Sequence, residues 1–149
     1  MSNIEPTQRE ADALLEMEKH RVDSRRWDYP HLGGHISIPL VSGDRREKFL
    51  LDLRRARITF AKNTYQTRAR QVVVLARLDT GGGPHRNPDG EKVGTPHLHL
   101  YREGFADRWA YVPPRDVFGA LADPWRTLQD FMAYCNIVDP PSIRQGLFT

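Results

Sequence analysis

QVVVLARLDTGGGPHRNPDGEKVGTPHLHLYREG, residues 71–104, is the stretch from which the fold is read. Its first part, Gln71 to Asp79, is β-branched and apolar on both faces, which predicts a strand inside a sheet. Its last part alternates, with His97, His99, Tyr101 and Glu103 separated by Leu98, Leu100 and Arg102. Successive strand side chains point to opposite faces, so the polar four would line one face and the leucines the core. Residues 80–96 between the two runs are rich in Gly, Pro, Asn and Asp and predict a long loop. Three of the six histidines, His85, His97 and His99, fall in this stretch.

Outward from it the patterns are local. Thr7 and Glu10 form a capping-box pair, and Ala11, Leu14, Leu15, Met17 and Val22 give a helical stripe, predicting a helix over 8–21. Residues 23–34 read as irregular. His35 to Val41 alternates through Ile36, Ile38 and Leu40, and Pro39 marks it as an edge strand. Phe49, Leu51 and Leu53 predict a second strand, and Ile58 and Phe60 lead into a third that runs through Tyr65-Gln66. A short strand is expected at 108–112, and a short helix at 115–121. Asp123 then caps a last helix whose core face is Trp125, Leu128, Met132 and Cys135, with Phe131 alongside. The tail from Asp139 reads as too short and proline-broken to form much. The expectation is one domain, 1–149, of α+β class: a curved antiparallel sheet of five or six strands with one N-terminal and two C-terminal helices.

With 149 residues the chain can bury a real core, and 39% hydrophobic against 28% charged residues describes a polar globule. No apolar run approaches the roughly 20 residues that cross a bilayer, so no membrane partner is expected. The start, MSNIEPTQRE, lacks the basic and apolar parts of a secretory signal. A single cysteine, Cys135, excludes an internal disulfide and fits a reducing cytoplasm. The first twenty residues lean acidic, whereas residues 42–77 hold ten Arg and Lys against three Asp and Glu. That basic middle fits a polyanion such as RNA, or simply a solvated arginine-rich sheet face.

If the two main strands are neighbours, Arg77, Asp79, His85, His97, His99, Tyr101 and Glu103 converge. Imidazoles oriented by a carboxylate suit general acid–base catalysis, and a nearby arginine suits a phosphate transition state. With RNA the 2′-hydroxyl is the internal nucleophile, so neither metal nor cofactor is required. Arg54, Arg55, Arg57, Lys62, Tyr65, Arg68, Arg70 and Arg86 are the candidate RNA-binding residues. Two other readings stand beside this one. His85, His97 and His99 can hold Zn²⁺, and His97-x-His99-x₃-Glu103 has the spacing of a first cupin motif, although no histidine follows His99. Or the histidines only satisfy loop backbone groups. The glycines of 81–83 lack the Lys-Ser/Thr of a phosphate-binding loop.

KFLLDLRRARITFAKNTYQTRARQVVVLARLD (48–79), GPHRNPDG (83–90) and PHLHLYREGFADRWAY (96–111) together resemble a group of small, uncharacterised bacterial and phage-associated proteins. More distantly they are similar to TumE-like toxins of toxin–antitoxin modules. Tyr65-Gln66, Arg77-x-Asp79, Pro84-His85 and Pro96-His97-Leu98-His99 carry the likeness, over residues 48–112. Arg86 stands where a second imidazole would follow His85, and Leu98 separates an expected His-His pair. The resemblance implies a growth-inhibiting ribonuclease or translation poison acting on RNA or the ribosome, neutralised by a protein antitoxin, with compact toxins of the RelE and barnase-like groups as a fold analogy. The competing expectation is a non-enzymatic phage or host inhibitor that binds a protein or nucleic acid through its basic strands.

Overall fold

A computed structural model describes residues 5–57 and 62–145. The elements run α1 (Gln8–Glu16), β1 (Lys19–Arg21), β2 (Arg26–Asp28), β3 (His35–Ser42), β4 (Lys48–Arg55), β5 (Asn63–Ala69), β6 (Val73–Asp79), β7 (His85–Arg86), β8 (Lys92–Val93), β9 (His97–Arg102), β10 (Ala106–Tyr111), α2 (Pro124–Tyr134), β11 (Ile137–Asp139) and β12 (Ser142–Arg144). Eight strands form one sheet in the order β10-β9-β6-β5-β4-β3-β1-β11, antiparallel except for the parallel pair β1·β11. β2 pairs with β12, and β7 with β8.

This corrects the sequence expectation. Among the described residues the fold is α+β but mostly sheet, mixed and eight-stranded, with two small extra sheets and only one C-terminal helix. The helix expected at 115–121 is a single turn in which Val117 and Phe118 donate to Pro114 O. So short a segment, interrupted by Gly119, does not repay helix nucleation. The first helix ends at Glu16 rather than Arg21, because Lys19–Arg21 is drawn into the sheet between β3 and β11. The tail from Asp139 contributes β12 and the last residue of β11, and residues 26–28 form β2. β3 is not outermost. β1 covers only Leu40–Ser42, so Pro39 keeps an uncovered side and needs no donor there. Of the third expected strand, Ile58 and Phe60 fall outside the described residues, and Tyr65-Gln66 lies in β5.

One face of the sheet carries the core. Phe49, Leu51 and Leu53 of β4, Tyr65, Thr67 and Ala69 of β5 and Leu78 of β6 are all buried. α2 packs on this face: Tyr65 Oη donates to Pro124 O, Thr67 Oγ1 donates to Cys135 Sγ, and Tyr65 meets Phe131 with ring centroids 6.0 Å apart. Its cap is the expected one, with Asp123 accepting from the Trp125 and Arg126 amides. α1 begins in the expected capping box and is tied to the end of β9. Gln8 N–H donates to Glu103 Oε1 (2.7 Å), and Tyr101 Oη donates to Pro6 O (2.7 Å). Lys19 is fully buried at the junction of the two helix ends. Its ammonium donates to Leu15 O, Met17 O and Cys135 O at 2.8, 2.9 and 2.7 Å.

No helix among the described residues is long and apolar enough to cross a membrane.

Candidate active site

The sheet's opposite face is polar. Along β4, β5, β6 and β9 the alternation that sends leucines inward sends Asp52, Arg54, Thr64, Gln66, Arg68, Arg77, Asp79, His97 and His99 outward. Arg77 pairs with His99 and Asp79 with His97 across the β6·β9 ladder, which places all four side chains side by side. An open groove of about 550 Å³ runs over this face, lined among others by His35, Ser37, Asp52, Gln66, Arg77 and Asp79.

Asp79 is the hub. Its Oδ2 lies 3.4 Å from His97 Nε2, 3.3 Å from His99 Nε2 and 3.3 Å from Arg77 Nε, and its Oδ1 accepts from Thr64 Oγ1 at 2.9 Å. Arg77 also donates to Asp107 Oδ2 (2.6 Å) and lies 3.1 Å from His99 Nε2. Both buried imidazoles are oriented through Nδ1, which faces a backbone carbonyl: Gly94 O for His97 (3.2 Å) and Asp107 O for His99 (2.8 Å). Carbonyl acceptors there place the proton on Nδ1 and leave each Nε2 a lone pair.

His85 completes the cluster from the loop. Its ring centroid is 4.6 Å from that of His99 and 5.6 Å from that of His97, and the latter two are 5.0 Å apart. Its Nε2 donates to Arg108 O (2.8 Å) on the outer side of β10. Two residues on, Asn87 donates to Ala110 O and accepts from Ala110 N–H, so the loop is fastened along that edge strand. At Gly81 the loop passes so close to Lys62 that an added Cβ would lie 2.8 Å from Lys62 Cα. Only glycine allows that approach.

The electrostatics follow from burial and neighbours. Burial raises the pKa of Asp79, but the neighbouring His99, the charge of Arg77 and the hydrogen bond from Thr64 outweigh it and hold the carboxyl at about 2. Burial lowers the pKa of His97, helped by His99 and His85 and opposed by Gly94 O and Asp79, so this ring is neutral at pH 7. The Asp79 shift gives a stability prediction. Between about pH 4 and 2 the unfolded chain takes up a proton that native Asp79 refuses, so stability falls with pH through this window. At about 1.4 kcal/mol per unit, the loss is at most about 2.5 kcal/mol. Urea denaturation from pH 6 to pH 2 is expected to show this decline as a difference between the native protein and Asp79→Asn.

Arg77, Asp79, His85, His97 and His99 therefore meet as expected, although His99 and His97 are only 1% and 5% exposed. Tyr101 and Glu103 do not join them. Both are committed to α1, since the chain turns at the end of β9 toward the helix start. The expected RNA-binding set divides. Tyr65 and Arg55 are buried, and Arg55 Nη1 donates to Pro30 O. Arg68 is held by Asp52 through two contacts of 2.6 and 2.9 Å. Arg70 faces Glu10 and Glu47 at 3.8 and 3.6 Å. Arg54, Arg57, Lys62 and Arg86 stay exposed. Sequence reasoning missed Asp107, Thr64 and Asn87. Parity alone could have found Thr64, two residues before Gln66 on the same row.

A model described as a family of unknown function (DUF6978) matches residues 7–137. The chain belongs to this family. The DUF6978 span takes in the whole histidine cluster, both flanking strands and the groove beside them. Comparison with curated proteins and with solved structures finds no match.

Proposed function

We propose that the chain is an endoribonuclease that cleaves RNA by metal-independent acid–base transfer at the His85, His97, His99 cluster. The observation that supports it is the gathering of three imidazoles beside Arg77 at the end of an open polar groove. Neutral His97 takes the proton from the ribose 2′-hydroxyl as that oxygen attacks the adjacent phosphorus. His85, at the outer rim with its Nε2 on Arg108 O, acts as the acid and gives a proton from Nδ1 to the departing 5′-oxygen. The products are a 2′,3′-cyclic phosphate and a free 5′-hydroxyl. Arg77 offers its guanidinium to the charge that develops on the phosphate oxygens. The carbonyls behind His97 and His99 hold the rings in one tautomer, and Asp79 holds Arg77 beside them, both positioning roles. Together with the motif likeness to TumE-like toxins, this chemistry suits a cytoplasmic toxin of a toxin–antitoxin or phage-conflict system, held in check by a protein antitoxin.

The test is purified protein with an RNA oligonucleotide and with DNA of the same sequence, both in EDTA. Cleavage of the RNA alone, ending in a cyclic phosphate, is expected. Intact RNA under all conditions overturns the reading, and RNA bound but uncut would favour the non-enzymatic inhibitor.

A further inference from the structure

We infer that Asp79, His97 and His99 form a binding site for a divalent transition-metal ion such as Zn²⁺, one that competes with Arg77 and silences the centre while the ion is held.

The first ground is donor geometry. Asp79 Oδ2 stands 3.4 and 3.3 Å from the two Nε2 atoms, and the three ligand atoms all lie within 4.8 Å of one another. A hydrogen bond from an imidazole to a carboxylate closes to about 2.7–2.9 Å, so these contacts are slack as hydrogen bonds. Zinc bonds of about 2.0–2.1 Å in a tetrahedron set neighbouring ligand atoms about 3.3–3.4 Å apart, the spacing found between the carboxylate oxygen and each ring nitrogen. The second ground is the support behind the ligands. Both imidazoles have Nδ1 against a backbone carbonyl, the arrangement that fixes Nε2 as the metal-binding atom. The third is charge. Asp79 and Asp107 against Arg77 leave a formal −1 facing two imidazole lone pairs.

What occupies the place of the ion is the guanidinium of Arg77, 3.1 Å from His99 Nε2 and 3.3 Å from Asp79 Oδ2. Two cations that close repel, so the ion enters as Arg77 withdraws toward Asp107, which already holds its Nη1. His85 is not a ligand in this set. Its Nε2 is spent on Arg108 O, which replaces the trio His85, His97, His99 expected from sequence with one containing Asp79.

Metal binding rests on this geometry alone. Silencing rests on the acid–base reading, because a ring whose Nε2 holds a metal cannot accept a proton. Titration of the full chain with Co²⁺, followed by its visible absorption, and then displacement by Zn²⁺ tests the first part. Saturable 1:1 binding is expected, lost in Asp79→Asn, tightened at least about tenfold in Arg77→Met, and changed less than about twofold in His85→Ala. No binding at 0.1 mM Co²⁺ by either the native protein or Arg77→Met overturns the site. An affinity that falls with His85→Ala but not with Asp79→Asn also overturns it. RNA cleavage in the presence of saturating Zn²⁺ is expected to drop at least about tenfold. Cleavage enhanced by Zn²⁺ leaves the site standing but overturns the silencing and the metal-independent mechanism together.

Discussion

Alanine at His97 is expected to lower the rate of the proposed RNA cleavage by about 10²–10⁴-fold, the range that one positioned proton-transfer group supplies. Burial lowers the pKa of His97, and its Nε2 lies beside Asp79 in the centre, so the base's role is assigned to it. Alanine at His85 is expected to cost a similar factor. The double variant should lose little more than either single one, because the two groups act in one proton circuit and their effects do not add. Initial rates on a fluorogenic RNA oligonucleotide measure all three, and circular dichroism checks that each variant folds. Tyr101→Phe and Glu103→Gln are the controls. Both residues are spent on α1, so they should change thermal stability and leave kcat near the native value. A loss of kcat in the controls equal to that in His97→Ala would remove the assignment.

The largest stability effect is expected at Lys19. Replacing it by methionine keeps the apolar stem but strips three donors from Leu15 O, Met17 O and Cys135 O. Met17 is the C-cap of α1 and Cys135 that of α2, so one ammonium serves the negative ends of both helix dipoles. Burial draws the Lys19 pKa down to about 8, which still leaves the charged, three-donor form in the majority at pH 7. Hydrogen bonds to a charged group are each worth about 1.5–3 kcal/mol, and the relieved desolvation of the ammonium offsets part of that sum. A net loss of about 2–4 kcal/mol is expected in urea denaturation at pH 7. Lys19→Arg is expected to destabilise as well, because a planar fork does not fit three converging carbonyls. A Lys19→Met protein as stable as the native one would show that the junction is held by packing alone.

Much of the centre was legible because period-two alternation survives folding. His97 and His99 were placed on one face with leucines behind them, and Arg77 and Asp79 on the strand beside them. The same rule had a missed use. Phe49, Leu51, Leu53 and Arg55 share one parity, so Arg55 belonged to the core row and not to an RNA surface. Tyr65 was harder to assign, since Thr64 and Gln66 are as polar as Asn63 and Thr67 and neither row announces the core. Tyr101 keeps the parity of His99 but lies at the strand end, where α1 covers it and takes its hydroxyl. The extra strands were illegible for another reason. β1, β2, β11 and β12 have three residues each, too few to show a period, and they exist through partners far along the chain. Asp107 stands at the irregular start of β10, which no pattern marks, and only the fold brings it to Arg77.

The attachment of residues 85 and 87 along β10 has one more consequence. Those side chains saturate a margin of the sheet that would otherwise be able to template a second copy of the protein. Chemistry and colloidal behaviour are thereby written into the same few residues. A variant that trims this segment to simplify the molecule would forfeit an imidazole and gain a sticky border at one stroke, so loss of turnover and onset of self-association should travel together.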